Sequence, residues 1–395
     1  MPKFRIFVLG AGFSKPAGLP LGNELWPEIR KRASRMPGEI NHLESDIDNY
    51  IRFRRECYGD DIAPEEVEFE NFLGYLDIEH YLGLRGSKQW DSEGNESQMI
   101  VKAAIGQILT ERTPHGQKLP QLYLDFAEEL CPCDYVLTFN YDVLLERALQ
   151  AVGSRFRLFP NRYTQKDPAG GTIDSLRELD EIAVLKMHGS VDWFDRGSYS
   201  DLEESNQRNG FSEKPPHAVF GPDSIAKAVP LLEGPQYPDD PLRHMYRVHN
   251  VDSLYASYAV PSLLGPIPWI LNPSTAKVIY AEKMRDFWWG MGQAGGWILG
   301  VNMIGYSLPK HDDYIQQALF SLITNYQNSW WEAEYPDGRR KQPVLLIDFR
   351  PDAKQAEDYR RRYRFVNGNK AVYHLAGFNE EALSLIRTAP SSAGH

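Results

Sequence analysis

The sequence predicts an α/β protein whose mainly parallel sheet is covered by helices on both faces. Short apolar runs alternate along the chain with segments of helical periodicity, which is the order expected of βαβ units. In addition, the first apolar run leads directly into a glycine-rich turn at Gly10, as a buried parallel strand can do. Longer segments between these elements are predicted as inserted helical or irregular regions.

Six apolar runs are predicted to be the strands of this sheet. They cover residues 4–9, 135–139, 182–187, 297–306, 344–348 and 371–375. Helices are expected at residues 143–149, 315–323 and 380–387, and Asp312 or Asp313 is placed to cap the second of these. This alternation of strands and helices is typical of a Rossmann-like fold.

Two longer segments interrupt the core pattern and are predicted as insertions. The Rossmann-like core comprises residues 1–30, 133–194 and 270–387, with a helical insertion at 31–132. The second insertion, at 195–269, is predicted to be irregular or helical because it is rich in Pro, Asp, Glu, Tyr and Ser with little strand periodicity. Within the first insertion, the following residues have the spacing of an amphipathic helix: Val101, Ala104, Ile105, Ile108 and Leu109.

The overall charge and hydropathy exclude some classes of protein. The 395 residues carry a formal net charge of −11, which disfavours a broad basic surface, so direct binding to nucleic acid is not expected. No apolar run approaches the roughly 20 residues that a membrane-spanning helix needs. We therefore expect a cytoplasmic protein without membrane attachment.

The three cysteines favour a reducing compartment because they cannot all pair. Cys131 and Cys133 lack the C-x₂-C spacing of a structural zinc site, and no second pair exists to complete one. A redox couple or half of a metal site is an alternative, but a buried thiol that leads into a strand is favoured. No metal site is predicted.

The turn after the first predicted strand reads Gly10-Ala11-Gly12-Phe13-Ser14. Glycines allow backbone N–H groups to approach a pyrophosphate, and the start of a helix adds favourable partial charge. The hydroxyl of Ser14 can donate one more hydrogen bond. The motif therefore indicates a dinucleotide site, and a tight turn that binds no ligand is the alternative.

Two further motifs follow the next predicted core strands. Asn140 and Asp142, in the sequence TFNYD, can orient a ribose hydroxyl, a water molecule or a carboxamide, or can simply cap the next helix. His188, in KMHGS, has the side-chain pKa suited to a general base, and Gly189 leaves space beside its ring. A single histidine at a strand end is more often structural. His374 has no comparable context.

Polar groups also follow two later predicted strands. Gly305, Tyr306 and Ser307, in GYSLP, repeat the pattern of a strand end, a glycine and a hydroxyl. Asp348 ends the run LLI and is either a ligand of a ribose diol or a surface turn residue. Because the carboxyl ends of parallel strands share one sheet edge, these groups together predict a nucleotide-binding crevice.

The ordered set GAGFS, Gly18-Leu19-Pro20, TFNYD, KMHGS and GYSLP resembles the sirtuin superfamily. More narrowly, it is similar to the sirtuin-like NAD hydrolases of bacterial anti-phage defence systems. The resemblance covers roughly residues 1–30, 133–194 and 270–350.

The resemblance implies roles for individual residues. Asn140 would be the catalytic asparagine, His188 the catalytic base, and Asp142 would lie near the nicotinamide amide. The GAGFS loop would line the pyrophosphate pocket, whereas Gly305 and Ser307 would hold the adenosine half. The expected NAD-binding residues are Gly10, Ala11, Gly12, Phe13, Ser14, Pro20, Gly189, Gly305, Tyr306, Ser307 and Asp348.

Two departures from the family pattern favour plain hydrolysis of NAD at the nicotinamide–ribose bond. The chain cannot build the four-cysteine zinc module of protein-deacylating sirtuins, so no zinc is expected. Their Asp-Phe-Arg is replaced by residues 21–24, LGNE. NAD would then be a substrate, and the resemblance implies a regulated, homo-oligomeric defence effector, with a hexameric HerA-like ATPase as a possible partner. An NAD-dependent deacylase, an ADP-ribosyltransferase and a non-catalytic NAD or ADP-ribose sensor are the alternatives.

Overall fold

The computed structural model describes residues 5–36, 41–86, 94–132, 134–160, 181–232, 240–296, 298–309, 312–334 and 338–387. The chain divides into two compact units. Unit 1 comprises Met1–Leu19, Thr113–Met187 and Met284–His395, and unit 2 comprises Pro20–Arg112 and His188–Lys283.

The described strands are named in chain order. They are β1 (Arg5–Leu9), β2 (Tyr135–Thr138), β3 (Phe156–Arg157), β4 (Ile182–Lys186), β5 (Trp193–Asp195), β6 (Ala228–Pro230), β7 (Met245–Val248), β8 (Gly300–Ile304), β9 (Val344–Ile347) and β10 (Ala371–His374).

The described helices are named in the same way. They are α1 (Ala11–Ser14), α2 (Gly22–Ala33), α3 (Leu43–Tyr58), α4 (Phe69–Tyr81), α5 (Glu96–Arg112), α6 (Gln121–Glu129), α7 (Leu144–Ala151), α8 (Gly197–Arg208), α9 (Val251–Ala256), α10 (Met291–Ala294), α11 (Asp313–Asn328), α12 (Ala353–Arg362) and α13 (Glu380–Arg387). Short 3₁₀ segments lie at Lys15–Ala17, Pro64–Glu66, Gly116–Lys118 and Gly368–Lys370, and a longer one at Lys277–Trp288.

Unit 1 is built on a parallel sheet flanked by helices. Within the described ranges the sheet has seven strands in the order β10-β9-β8-β1-β2-β4-β3, and all of its strand pairs are parallel. Every residue of β1, β4, β8 and β9 is buried, as expected when helices cover both faces. The predicted Rossmann-like α/β fold is therefore confirmed.

The strand register brings several strand ends to one edge of this sheet. Leu9 at the end of β1 is in register with Thr138 of β2 and with Ile304 of β8. Thr138 is in turn in register with Lys186, the last residue of β4. The loops that follow β8, β1 and β2 therefore leave the sheet side by side, which is the edge where α/β proteins bind ligands.

The six predicted strands correspond to β1, β2, β4, β8, β9 and β10. The strand β1 ends at Leu9 as predicted, and the other five are somewhat shorter than predicted. Phe4 and Trp297, the first residues of two predicted strands, lie outside the described residues. The edge strand β3 was not predicted because its two residues are too few to produce an apolar run.

Unit 2 contains α5 at its centre. The amphipathic interpretation of this helix is wrong, because every residue from 97 to 110 is buried. Helices α2, α3 and α9 contact α5, and at Gly106 a Cβ would lie only 2.1 Å from Oη of Tyr255. Spacing alone predicted the helix but could not show that neighbours cover its polar residues as well.

Unit 2 also contains a small antiparallel sheet with the order β5-β7-β6. The prediction of an irregular or helical segment at 195–269 missed β6 and β7. These strands have three and four residues, and β6 ends in Pro230, so they produce no clear alternation of apolar and polar positions. A hydrophobic cluster that includes Phe194, Val248 and Leu254 packs in the same region.

Some remaining expectations concern cysteines and membranes. Cys57 is exposed and Cys131 is partly buried, whereas Cys133 lies outside the described residues. Among the helices that the structure describes, none has both the length and the apolar character needed to cross a membrane.

A buried ion pair joins the amino ends of β1 and β2. Nη2 of Arg5 lies 2.7 Å from Oδ2 of Asp134, and the backbone N–H of Arg5 donates to Oδ1 of the same carboxylate. Nη1 of Arg5 also contacts Glu129 at 3.1 Å, at a more exposed position. Removing one partner of a buried pair leaves a charge without compensation, which is strongly destabilising.

We expect Asp134→Asn to lower the free energy of unfolding by about 3 kcal/mol, because Arg5 then loses its fully buried counter-ion. Urea denaturation measures this change. Glu129→Gln is the matched control, since it removes the more exposed partner of the same guanidinium and should cost about 1 kcal/mol or less. Equal losses of unfolding free energy in the two variants would show that Asp134 is not the main counter-ion of Arg5.

Candidate functional site

Three glycines of unit 1 lie where the loops after β1 and β8 cross. A Cβ at Gly10 would lie 2.5 Å from the carbonyl oxygen of Gly305, and one at Gly12 would lie 2.7 Å from Cα of Gly305. Gly305 has a φ of +64°, and its Cβ would lie 2.1 Å from the backbone nitrogen of Phe13. Any side chain at these positions would push the two loops apart.

The backbone of the loop after β1 is already hydrogen bonded. Gly10 N–H donates to the carbonyl of Ile304 at 3.0 Å, and Gly12 N–H donates to that of Gly305 at 2.9 Å. Phe13 N–H donates to the carbonyl of Gly10. Contact between the loops therefore explains the glycines without a ligand, and pyrophosphate binding there stays a prediction.

The side chain of Phe13 faces the interior of unit 1. Its ring centroid lies 5.2 Å from those of Tyr123 and Phe126 and 4.9 Å from that of Phe378. Tyr123 also donates its hydroxyl to the carbonyl of Phe13 at 2.7 Å, and burial raises the pKa of this phenol. The side chain of Phe13 is therefore part of the interior of unit 1, whereas Ala11 is exposed.

Asn140, Ser14 and Asp142 form a hydrogen-bonded chain at the carboxyl edge of the sheet. Nδ2 of Asn140 donates to the carbonyl of Gly10 at 2.9 Å and to Oγ of Ser14 at 3.1 Å. Oγ of Ser14 donates to Oδ2 of Asp142 at 2.9 Å. The exposed fractions of Asn140, Ser14 and Asp142 are 8%, 1% and 7%. The structure thus brings together three predicted site residues from the loops after β1 and β2.

The two helix-capping alternatives are resolved differently. Oδ1 of Asp142 accepts a hydrogen bond from Leu144 N–H at the first residue of α7, so this carboxylate both stabilises the helix start and holds Ser14. The side-chain amide of Asn140 instead contacts the loop after β1. Asn140 is therefore a link between loops.

A stack of aromatic rings borders the same strand ends. The ring of Phe139 stacks on that of Tyr306 at 4.6 Å and on that of Trp288 at 6.1 Å. The Tyr306 hydroxyl donates to Oδ2 of Asp312 at 2.8 Å, and burial raises the pKa of this phenol. Trp288 was not among the predicted site residues because it lies in a segment without a strand-end motif.

Asp348 is buried, which contradicts the alternative that it is a surface turn residue. Its Oδ2 pairs with Nη2 of Arg350 at 2.7 Å, and its Oδ1 accepts a hydrogen bond from Phe349 N–H. Burial raises the pKa of Asp348, although Arg350 acts in the opposite direction. A second arginine of unit 1 contacts another predicted site residue, since Nη1 of Arg362 donates a hydrogen bond to the carbonyl of Ser307. Sequence reasoning did not identify either arginine.

His188 and Gly189 lie at the start of the second segment of unit 2. The carbonyl of His188 accepts a hydrogen bond from Leu271 N–H at 2.9 Å, and the residue is buried. Gly189 has a φ of +78°, and a Cβ there would lie 2.3 Å from the carbonyl oxygen of Trp269. The close approach of residues 269–271 therefore accounts for this glycine. Pro20, another predicted ligand contact, is buried at the start of unit 2.

Within the described ranges, no group of three or more His, Cys, Asp or Glu side chains is arranged to hold a metal ion. The polar groups of the site in unit 1 are an amide, a hydroxyl and a carboxylate. These groups suit the hydroxyls and amides of an organic ligand.

No protein-family model and no curated protein matches the sequence. The structure is similar to that of a mutant Sir2 homologue in complex with ADP-ribose, at 12% identity and a TM-score of 0.33, covering 98% of this chain and 92% of that chain. It is also similar to a structure described as the structural basis of sirtuin substrate affinity, at 11% identity and a TM-score of 0.27, covering 99% and 94%. At such values, the similarity assigns neither a family nor an activity to this chain.

Proposed function

We propose that this protein hydrolyses NAD at the nicotinamide–ribose bond and releases nicotinamide and ADP-ribose. The observation that carries the proposal is the buried chain of Asn140, Ser14 and Asp142 at the carboxyl edge of the central strands. The ordered motifs that resemble the sirtuin superfamily also support it, because Ser14, Asn140 and Asp142 all belong to those motifs.

The chemistry of these groups suits the proposed reaction. Cleavage develops positive charge on the ribose, and nicotinamide leaves as a neutral molecule, so no strong acid is required. Nδ2 of Asn140 already donates hydrogen bonds to Gly10 and Ser14. The side-chain oxygen of Asn140 would therefore be the atom that accepts a hydrogen bond from a ribose hydroxyl or from the attacking water. The carboxylate of Asp142 would favour the cationic transition state or fix the carboxamide.

The proposal gives His188 the role of general base, which would remove a proton from a ribose hydroxyl or from water. Gly10, Ala11, Gly12, Phe13, Ser14, Pro20, Gly189, Gly305, Tyr306, Ser307 and Asp348 are proposed as the NAD contacts. The backbone N–H groups of Gly10, Gly12 and Phe13 already donate hydrogen bonds within the protein, so NAD would contact other atoms of these residues.

We further propose that the enzyme is a cytoplasmic, homo-oligomeric effector of anti-phage defence. Uncontrolled loss of NAD would damage the host, so the basal rate should be low and a partner, such as a hexameric HerA-like ATPase, should raise it. This part of the proposal rests on the motif resemblance.

A non-catalytic sensor of NAD or ADP-ribose is the second candidate. Both hydrogen bonds of the Asn140 amide nitrogen hold the neighbouring loop, which also suits a residue that only shapes a binding surface. Such a sensor predicts binding of ADP-ribose without release of nicotinamide.

The test is incubation of the purified chain with NAD, with and without the candidate ATPase, followed by chromatography. We expect nicotinamide and ADP-ribose in equal amounts. An acylated peptide in a parallel reaction identifies a deacylase, since release of nicotinamide would then depend on the peptide. Tight binding of ADP-ribose with no nicotinamide in any reaction would replace the hydrolase by the sensor.

A further inference from the structure

The strand β4 ends in a fully buried lysine. Lys186 has no exposed surface, and its Nζ lies 3.0 Å from Oε1 of Glu146, which is 2% exposed on α7. The same ammonium donates a hydrogen bond to the backbone carbonyl of Asp142. This ion pair therefore lies directly against the turn between β2 and α7.

The stability of the fold does not by itself account for this pair. Moving two charges out of water costs several kcal/mol per ion, and apolar residues of similar volume often replace a buried pair without loss of stability. The other residues of β4, IAVL, are apolar, as is usual for a parallel strand covered on both faces. A charged residue at the last position of such a strand calls for another explanation.

The hydrogen bond from Lys186 to the Asp142 carbonyl offers an explanation for the buried charge. The turn from 139 to 143 is restrained on one side by the side-chain bonds of Asn140 and Asp142 to Ser14. Lys186 restrains its backbone from β4, and no apolar side chain can donate to that carbonyl. Glu146 compensates the ammonium and keeps it beside the turn.

We propose that Lys186 is a positioning residue, which, held by Glu146, fixes the Asp142 carbonyl and so orients Asn140 and Asp142 for the ligand. The role in turnover rests on the hydrolase function proposed above. The effect on the turn itself does not, because it concerns only contacts within unit 1.

The test is the double variant Lys186→Met/Glu146→Leu, which removes both charges together. We expect a melting temperature within a few degrees of the wild type, faster hydrogen exchange at residues 139–146, and a fall in kcat of about 10- to 100-fold with KM changed less than threefold. The fall in kcat is expected because small displacements of reacting groups reduce rates by such factors.

The matched control is Lys341→Met. Lys341 is also a buried lysine of unit 1, and its ammonium donates to the backbone carbonyls of Gly295, Tyr326 and Ser329. Removing this ammonium shows whether the loss of any buried lysine that donates to backbone carbonyls changes kcat or hydrogen exchange at residues 139–146. We expect this variant to keep the wild-type kcat and the wild-type exchange at residues 139–146.

Unchanged exchange at 139–146 in a folded double variant would overturn the proposal, as would a kcat within twofold of the wild type. If the double variant does not fold, Lys186→Gln/Glu146→Gln replaces it, because it also removes both charges and leaves no buried ion without a partner. The shorter amide at position 186 loses the bond to the Asp142 carbonyl, so kcat should again fall about 10- to 100-fold. A kcat within threefold of the wild type would also overturn the proposal. Failure of the hydrolase function would appear separately, as a wild-type protein that releases no nicotinamide.

Discussion

Replacing His188 or Asn140 with alanine should reduce the release of nicotinamide from NAD by at least about 100-fold. A general base contributes about 10²- to 10⁴-fold to a rate, which sets the expectation for His188. For Asn140, the variant removes both the proposed ligand contact and the two bonds that hold the loop after β1. Initial rates under the activating conditions measure both effects.

Controls separate a catalytic loss from a folding defect. Asn140→Ala should also lower the free energy of unfolding by about 1–3 kcal/mol, since two hydrogen bonds are lost, so thermal unfolding is measured for each variant. His374→Ala is the matched control, because His374 is buried like His188 but lies on β10 without a strand-end motif. A folded His188→Ala protein with full turnover would remove the histidine from the mechanism.

Gly305→Ala should be the most destabilising single substitution among those considered, with a loss of more than about 4 kcal/mol or failure to fold. Its Cβ would lie 2.1 Å from Phe13 N and 2.3 Å from the carbonyl carbon of Gly12, and both atoms belong to backbone that cannot rotate away. The loops after β1 and β8 would have to separate. Denaturant unfolding of the purified variant, or its yield as soluble protein, measures the effect.

Gly18→Ala separates crowding from backbone strain. Gly18 has a φ of +91°, so alanine is strained there as well, but no heavy atom of the described residues, apart from its chain neighbours, lies within 4 Å of its Cβ position. The expected cost is therefore only about 1–2 kcal/mol, the usual penalty for a left-handed residue. Similar losses at the two positions would show that the contact between the loops is loose enough to adapt.

The core of the sheet was predictable because its strands are continuous apolar runs between turns. The sequences RIFVL and IAVLK, for example, are buried along their whole length, so that burial and pattern coincide. The strands β5, β6 and β7 have three or four residues each and pair across gaps in the chain that no local pattern reveals. Their existence depends on tertiary packing, which short segments do not encode by periodicity.

The candidate site was predictable in its residue types but not in its contacts. Asn140 and Asp142 were identified as polar groups at a strand end, and the sheet order brings them to Ser14, which is more than 120 residues away in the chain. The bond between Lys186 and the Asp142 carbonyl had no sequence signal, because no local pattern connects residue 186 with the turn after β2. The glycines were predicted as ligand contacts, whereas the structure explains them by contact between loops.

The order of the strands also constrains how the chain is made. The strand β1 leaves the ribosome about 300 residues before its partner β8. At about 5–20 residues per second, one edge of β1 therefore stays unpaired for about 15–60 s. During that time the edge of β1 that later pairs with β8 is exposed, and an unpaired apolar strand edge can pair with other chains and aggregate. Binding by chaperones during translation is therefore expected for a protein in which β1 lies at the centre of the described sheet.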